Sequence, residues 1–332
     1  MMIEARDVWK VFGLAKGHHA MTGAEPSADS IGSAGGSIAL REATFSVAKG
    51  EIFMIMGLSG SGKSTLLRCL TGLHEASRGS ITIAGTDIVS ADKESLITLR
   101  RKTMSMVFQN FGLLPHLNAI ENVAFPLRVQ GIEKQERLTQ AEKSLDLVGL
   151  GDKHQRFPHE LSGGQQQRVG IARSLVTNPD IWFLDEPFSA LDPLIRREMQ
   201  DEFRRLQMQL HKTIVFVTHD LDEAVRLGDR IAIMAEGKIL QVATPEELLM
   251  KPANDHVRKF IQGIAPERVL RVRAILEKAT KASNGHAVIS ANTILAEVAR
   301  QLVEADHPFP VKDETGRIVG QVSRHGLAKW LT

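Results

Sequence analysis

Eight residues constrain this chain most: Gly57-Leu58-Ser59-Gly60-Ser61-Gly62-Lys63-Ser64, with Thr65 next. They fit the pattern G-x-x-x-x-G-K-[ST]. An apolar run, Ile52 to Met56, leads in, and a helical pattern, Thr65 to Leu73, leads out. Between a strand and a helix, such a loop lets successive backbone N–H groups curl around phosphate oxygens. The helix start adds a partial positive charge. Lys63 adds a full charge for the β- and γ-phosphates, and the Ser64 hydroxyl can ligate Mg²⁺. Gly57, Ser59, Gly60, Ser61, Gly62, Lys63, Ser64 and Thr65 are therefore candidate ATP-binding residues. A chance Gly-Ser turn is the bland alternative, and the strand–loop–helix setting weighs against it.

From residue 56 to about 235, apolar runs alternate with helical patterns. Ile181-Trp182-Phe183-Leu184 and Ile214-Val215-Phe216-Val217 read as buried strands. Between them Leu194, Met199, Phe203, Leu206 and Leu210 recur at helical spacing. This alternation predicts an α/β fold, a parallel sheet covered by helices. The first of these strands ends in Asp185-Glu186. After a phosphate loop, the first carboxylate suits Mg²⁺ and the second an attacking water. Acids at a strand end otherwise simply face solvent.

Length suggests one large core plus an appendage. The 41 basic and 39 acidic residues leave a net charge of +2. No basic face is clustered, which argues against a nucleic-acid partner. The single cysteine, Cys69, lies in an apolar run and fits a reducing, cytoplasmic compartment. No apolar stretch approaches the ~20 residues of a membrane-spanning helix. The N-terminus lacks a signal peptide's pattern. A membrane role would come through a partner.

Residues 3–12 read as a strand, and 14–37 as a Gly/Ser/Ala-rich flexible insertion. Residues 38–55 read as two strands around a Lys49-Gly50 turn. Near Pro266 the pattern changes, giving a domain over 1–265 and a smaller α+β unit over 266–332. The latter predicts the order β-α-β-β-α, with strands at 287–289, 309–311 and 318–322 and a helix face of Leu295, Val298, Ala299 and Leu302.

Leu161-Ser162-Gly163-Gly164-Gln165 resembles the signature sequence of the ABC ATPase family. Gln109 resembles its Q-loop glutamine, Ser189-Ala190-Leu191-Asp192 its D-loop, and His219 its switch histidine, all in the family's order. The resemblance covers roughly residues 3–262. It implies a RecA-like parallel sheet core, an antiparallel β subdomain and a helical subdomain at about 110–175. It also implies that Glu186 polarises the water, that Gln109 and Asp185 join Ser64 at Mg²⁺, and that His219 contacts the γ-phosphate. Ser162, Gly163, Gly164 and Gln165 would complete the site of a second copy across an ATP sandwich, with Ser189 to Asp192 at the dimer contact. An integral-membrane permease and, indirectly, a substrate-binding protein would be the other partners, at the cytoplasmic face of the inner membrane. The family usually stacks adenine on an aromatic residue near the first strand. Phe12 fills that place here, with plain core packing as the alternative.

Gly50 to Gly57, Ser189 to Arg196, His219 to Ala224 and Gly228 to Met234 resemble the ATPase subunits of glycine betaine/proline/choline importers. Asp306 to Val311 and Gly316 to Gly320 resemble a single CBS motif, read as an ionic-strength or nucleotide sensor or as a structural, dimer-holding tail. The segment Phe111 to Gly131 is expected to touch the permease, with core packing as the alternative. An importer ATPase for another solute such as an amino acid, and a soluble ABC protein acting on nucleic acid or ribosomes, are the competing functions.

Overall fold

The structure is a computed structural model that describes residues 1–15, 18–21, 26–109, 112–278 and 287–331. Contacts divide it into two compact units, Met1–Val242 and Ala243–Thr332. Among the described residues no helix is long and apolar enough to cross a membrane.

The first unit opens with β1 (Ile3–Phe12). Next come α1 (Ala28–Ser33) and β2 (Ser37–Val47), which returns antiparallel to β1. Ser27 caps α1 by accepting from the Ser30 N–H. The segment read as a flexible insertion thus carries a short helix. Its apolar residues Ala20 and Ile31 are buried with Trp9 and Val11, which gives this part of the insertion a core of its own.

β3 (Ile52–Gly57), α2 (Lys63–Leu70), β4 (Arg78–Ile83) and β5 (Thr86–Asp87) follow. The antiparallel sheet has the order β2-β1-β4-β5. α3 (Lys93–Lys102) and β6 (Met104–Val107) lead into three mutually packed helices, α4 (Ala119–Val129), α5 (Lys134–Leu147) and α6 (Gly163–Leu175). β7 (Ile181–Asp185), α7 (Pro193–Leu210), β8 (Thr213–Thr218), α8 (Leu221–Leu227), β9 (Arg230–Ala235) and β10 (Lys238–Ala243) complete the second sheet, ordered β10-β9-β3-β8-β7-β6. β6, β7, β8, β3 and β9 run parallel. Every residue of β3, β7 and β8 is buried, the burial on both faces that unbroken apolar runs require.

One expectation needs correction. Leu194 is 68% exposed, although Met199, Phe203 and Leu206 are buried. It stands five positions before Met199, which at about 100° per residue turns it well away from that stripe. Residues 112–131, expected to touch the permease with core packing as the alternative, mix buried, half-buried and exposed positions. Ile120, Val123, Ala124 and Leu127 are buried. Asn122, fully buried, accepts from the Leu114 N–H and donates to the Leu114, Leu117 and Asn118 carbonyls. Val129 remains exposed, as does Phe108 just before the segment; Phe111 lies outside the described residues.

The second unit holds α9 (Pro245–Met250), α10 (Asp255–Phe260), β11 (Ile289–Ser290), α11 (Leu295–Glu304), β12 (Phe309–Lys312), β13 (Ile318–Val322) and α12 (Arg324–Leu331). From β11 onward this is the expected β-α-β-β-α order. β12 pairs parallel with β11 and antiparallel with β13. Leu270, Val272, Leu295, Leu302, Val311 and Val322 form its core, and Leu249 of α9 packs on the same cluster. The change read near Pro266 therefore falls inside this unit.

Candidate nucleotide site

The phosphate loop links the end of β3 to the start of α2. Gly62 closes it at φ +98°, and a Cβ there would lie 2.5 Å from the Ala39 carbonyl oxygen. Only glycine meets both demands. Lys63 is buried and donates from Nζ to the carbonyls of Gly57 (2.8 Å) and Leu58 (3.0 Å). Burial pulls its pKa down, while Glu186 and Asp185 act in the opposite sense. Ser61 Oγ is buried with no hydrogen-bond partner among the described residues.

The carboxyl ends of the parallel strands supply the rest, as ligand sites in open α/β sheets do. Asp185, the last residue of β7, is buried and accepts from the Ser64 hydroxyl at 2.8 Å. Burial pushes its carboxyl pKa up, only partly offset by the Ser64 hydrogen bond and nearby cations. Glu186 follows at φ +46°, a conformation that costs a non-glycine residue about 1–3 kcal/mol and clusters at functional sites. Its N–H donates to the Val217 carbonyl on β8. Its carboxylate is clasped from three sides: His219 Nδ1 at 3.0 Å, Gln109 Nε2 at 3.4 Å and Lys63 Nζ at 3.9 Å. The His219 ring is more than half exposed.

Most of these groups line one cavity of about 610 Å³, formed by Leu58, Ser59, Gly60, Gly62, Lys63, Ser64, Thr65, Gln109, Glu186 and His219 together with Ala39 of β2. Gly57, Ser61 and Asp185 are not in its lining, and Asp185 meets it through Ser64. Ala39 had no signal in the sequence; the fold of β2 brings it there. The site combines a backbone cradle, a helix start and a buried lysine for a polyanion. It also offers a hydroxyl–carboxylate pair of the oxygen type that hard cations take.

Other candidates lie outside this cavity. Ser162 caps α6, accepting from the Gln165 N–H, while the Gln165 side chain accepts from the Ser162 N–H. Gly163 and Gly164 form the first turn of that helix. Ser189 donates to the Glu186 carbonyl at 2.9 Å, Leu191 is buried after Ala190, and Asp192 caps α7. Phe12 is 42% exposed, edge-on to His74 at 5.5 Å, with Lys10 Nζ 4.9 Å from its ring centre.

A family model described as ABC transporter matches residues 40–189. The chain is 49% identical to the trimethylamine N-oxide transport system ATP-binding protein TmoW of Pelagibacter ubique, over 97% of this chain and 94% of that protein. It is 46% identical to the glycine betaine/proline betaine transport system ATP-binding protein ProV of Escherichia coli, over 89% of this chain and 74% of that protein. Among solved structures, a dimeric ATP-binding cassette in a post-hydrolysis state bound to ADP and Pi superposes with a TM-score of 0.62. That match is 33% identical and covers 73% of this chain and 98% of that one.

Fold and site together define an ATP-binding cassette with ATPase activity. The chain belongs to the ABC transporter family, among its transport ATP-binding subunits, as the signature, Q-loop, D-loop and switch-histidine resemblances implied.

Proposed function

We propose that this chain hydrolyses Mg-ATP, as one of two paired copies on a membrane permease, to energise import of a small methylated amine. The observation that carries the hydrolytic reading is the convergence of Lys63, Ser64 with Asp185 bonded behind it, and the Glu186–His219–Gln109 cluster on one cavity. In this reading the 57–65 loop holds the phosphates. Ser64, Asp185 and Gln109 would hold Mg²⁺, which would supply charge neutralisation at the phosphates. Glu186 orients and deprotonates the water, His219 holds the Glu186 carboxylate and the γ-phosphate, and Phe12 stacks on adenine. Ser162 to Gln165 lie outside the cavity, which supports their service to a second copy, with Ser189 to Asp192 at the contact. Phe108 and Val129 are exposed apolar side chains, in or beside the segment expected to meet the permease, that it could contact.

Relatives of matching length inform the solute. The chain spans 94% of the trimethylamine N-oxide relative but 74% and 68% of two glycine betaine relatives. Trimethylamine N-oxide is thus the first candidate, ahead of glycine betaine, proline or choline. The C-terminal unit is read as a single CBS-like module, either sensing or dimer-holding, and the chain itself as peripheral at the cytoplasmic face of the inner membrane.

Reconstitution with its permease and binding protein tests this. ATP hydrolysis stimulated by trimethylamine N-oxide or a betaine is the expected result. Stimulation only by an amino acid other than proline, with none by these solutes, would move the chain to the competing importer class.

A further inference from the structure

One arginine outside the cavity reaches two loops at once. Arg196 stands in the first turn of α7. Its Nη2 donates to the Leu191 carbonyl at 3.2 Å, and its Nη1 to Asp220 Oδ2 at 3.4 Å. Both side chains of this ion pair are less than one-third exposed. Asp220 directly follows His219 and is fully engaged. Its Oδ1 accepts from the Glu223 N–H at 3.2 Å, capping α8, and its own N–H donates to Thr218 Oγ1 at 2.9 Å. The Thr218 hydroxyl in turn donates to buried Glu223 at 2.6 Å. The exposed His219 ring is therefore aimed by a backbone pinned on both sides.

At the other end, Leu191 and Ile195 lie against the start of α6. A Cβ built on Gly163 would be 3.8 Å from Leu191 Cδ2, and one on Gly164 2.8 Å from Ile195 Cγ2. A continuous path runs from the Ser162–Gly164 helix start, through residues 191–196, to Asp220 and His219. Arg196 is its polar joint, because a planar guanidinium can serve two acceptors in fixed geometry.

We propose that Arg196 is a positioning residue for His219. It ties the switch-histidine loop to residues 189–192, so a shift of that segment moves the His219 ring relative to Glu186. The inference rests on the reading of Glu186 and His219 as the hydrolytic pair. It adds the residue that links the pair to the surface proposed to meet a second copy.

Steady-state ATP hydrolysis by the full chain tests it, using Arg196→Met, Arg196→Lys, Asp220→Asn and the Arg196→Met/Asp220→Asn double variant. Methionine keeps much of the stem's packing, and asparagine can still cap α8. Misplacing a catalytic group by about 1 Å can cost on the order of 100-fold. The expected result is a kcat lowered at least about tenfold in Arg196→Met, with KM for ATP within about twofold. Lysine should restore part of the rate, and the double variant should be no slower than Arg196→Met. Parent-like kcat in Arg196→Met, losses that multiply in the double variant, or a KM that rises in step would each overturn the proposal. If Arg196→Met does not fold, Asp220→Asn decides by the same kcat criterion. A parent chain without ATPase activity would sink the hydrolytic reading and this one together. An active parent beside an equally active Arg196→Met sinks this one alone.

Discussion

The Ser64 hydroxyl donates to Asp185 Oδ1 across 2.8 Å, joining the start of α2 to the end of β7. Asparagine at 185 can still accept that bond, so Asp185→Asn should fold. It lacks the charge a divalent cation needs. Affinity for ATP with Mg²⁺ should fall at least about tenfold, the scale of one lost charge-assisted contact, while affinity in EDTA stays near the parent's. Titration with a fluorescent ATP analogue under both conditions reads the difference.

Glu186→Gln should lower turnover by about 10²–10⁴-fold, the usual worth of a positioned acid–base group. ATP binding should persist, because Lys63 and the loop are untouched. Size-exclusion chromatography of this variant in saturating Mg-ATP, with its permease present, should show the paired form. A form that remains single there would remove the two-copy proposal.

Gly62→Ala places a Cβ against the Ala39 carbonyl at a φ of +98°. The backbone cost alone is roughly 1–3 kcal/mol. A lower Tm and weaker ATP binding are expected together, because the same loop does both jobs. A variant with parent-like Tm and affinity would show that the loop relaxes freely.

Glu223 is buried beneath the switch loop, and burial raises its pKa against the hydrogen bonds from Thr218 and Gln200 and the charge of Arg196. The folded chain therefore holds this proton more tightly than the unfolded one. Its contribution to stability is full below the unfolded carboxylate value, about 4.3, and is lost as pH rises through the raised folded value. Glu223→Gln removes the buried charge at high pH. The Tm of this variant relative to the parent should rise between pH 5 and pH 8. A constant difference would show that Glu223 titrates normally.

The C-terminal unit, if a sensor, should set how hydrolysis in the reconstituted transporter responds to salt. Removing residues 244–332 should leave basal ATP hydrolysis and flatten that response. An unchanged salt response would reduce the unit to a structural tail. Cutting at 268 instead takes away Leu270 and Val272, on whose cluster Leu249 packs, and should yield a less stable chain.

Much of the site is legible in the chain because its parts are local patterns. The 57–65 loop, the Asp185-Glu186 strand end and the Ser162–Gln165 cap each need only neighbours in sequence to take shape. Their roles became readable through the order in which they occur. Ala39 had no such signal, and Arg196 and Glu223, though inside segments that carried the importer resemblance, had no role to read there, since each acts through partners on other elements.

The residues alone determined the α/β class, the phosphate loop and the strand–helix alternation, because backbone geometry and hydrophobic period operate over a few residues. Tertiary structure decided the rest. It gathered Gln109, Glu186 and His219 from three strand ends, buried Ile31 in a segment rich in glycine and serine, turned Leu194 outward, and enclosed Asn122 among carbonyls. Burial and long-range hydrogen bonding depend on what packs opposite, which a single stretch of chain does not specify.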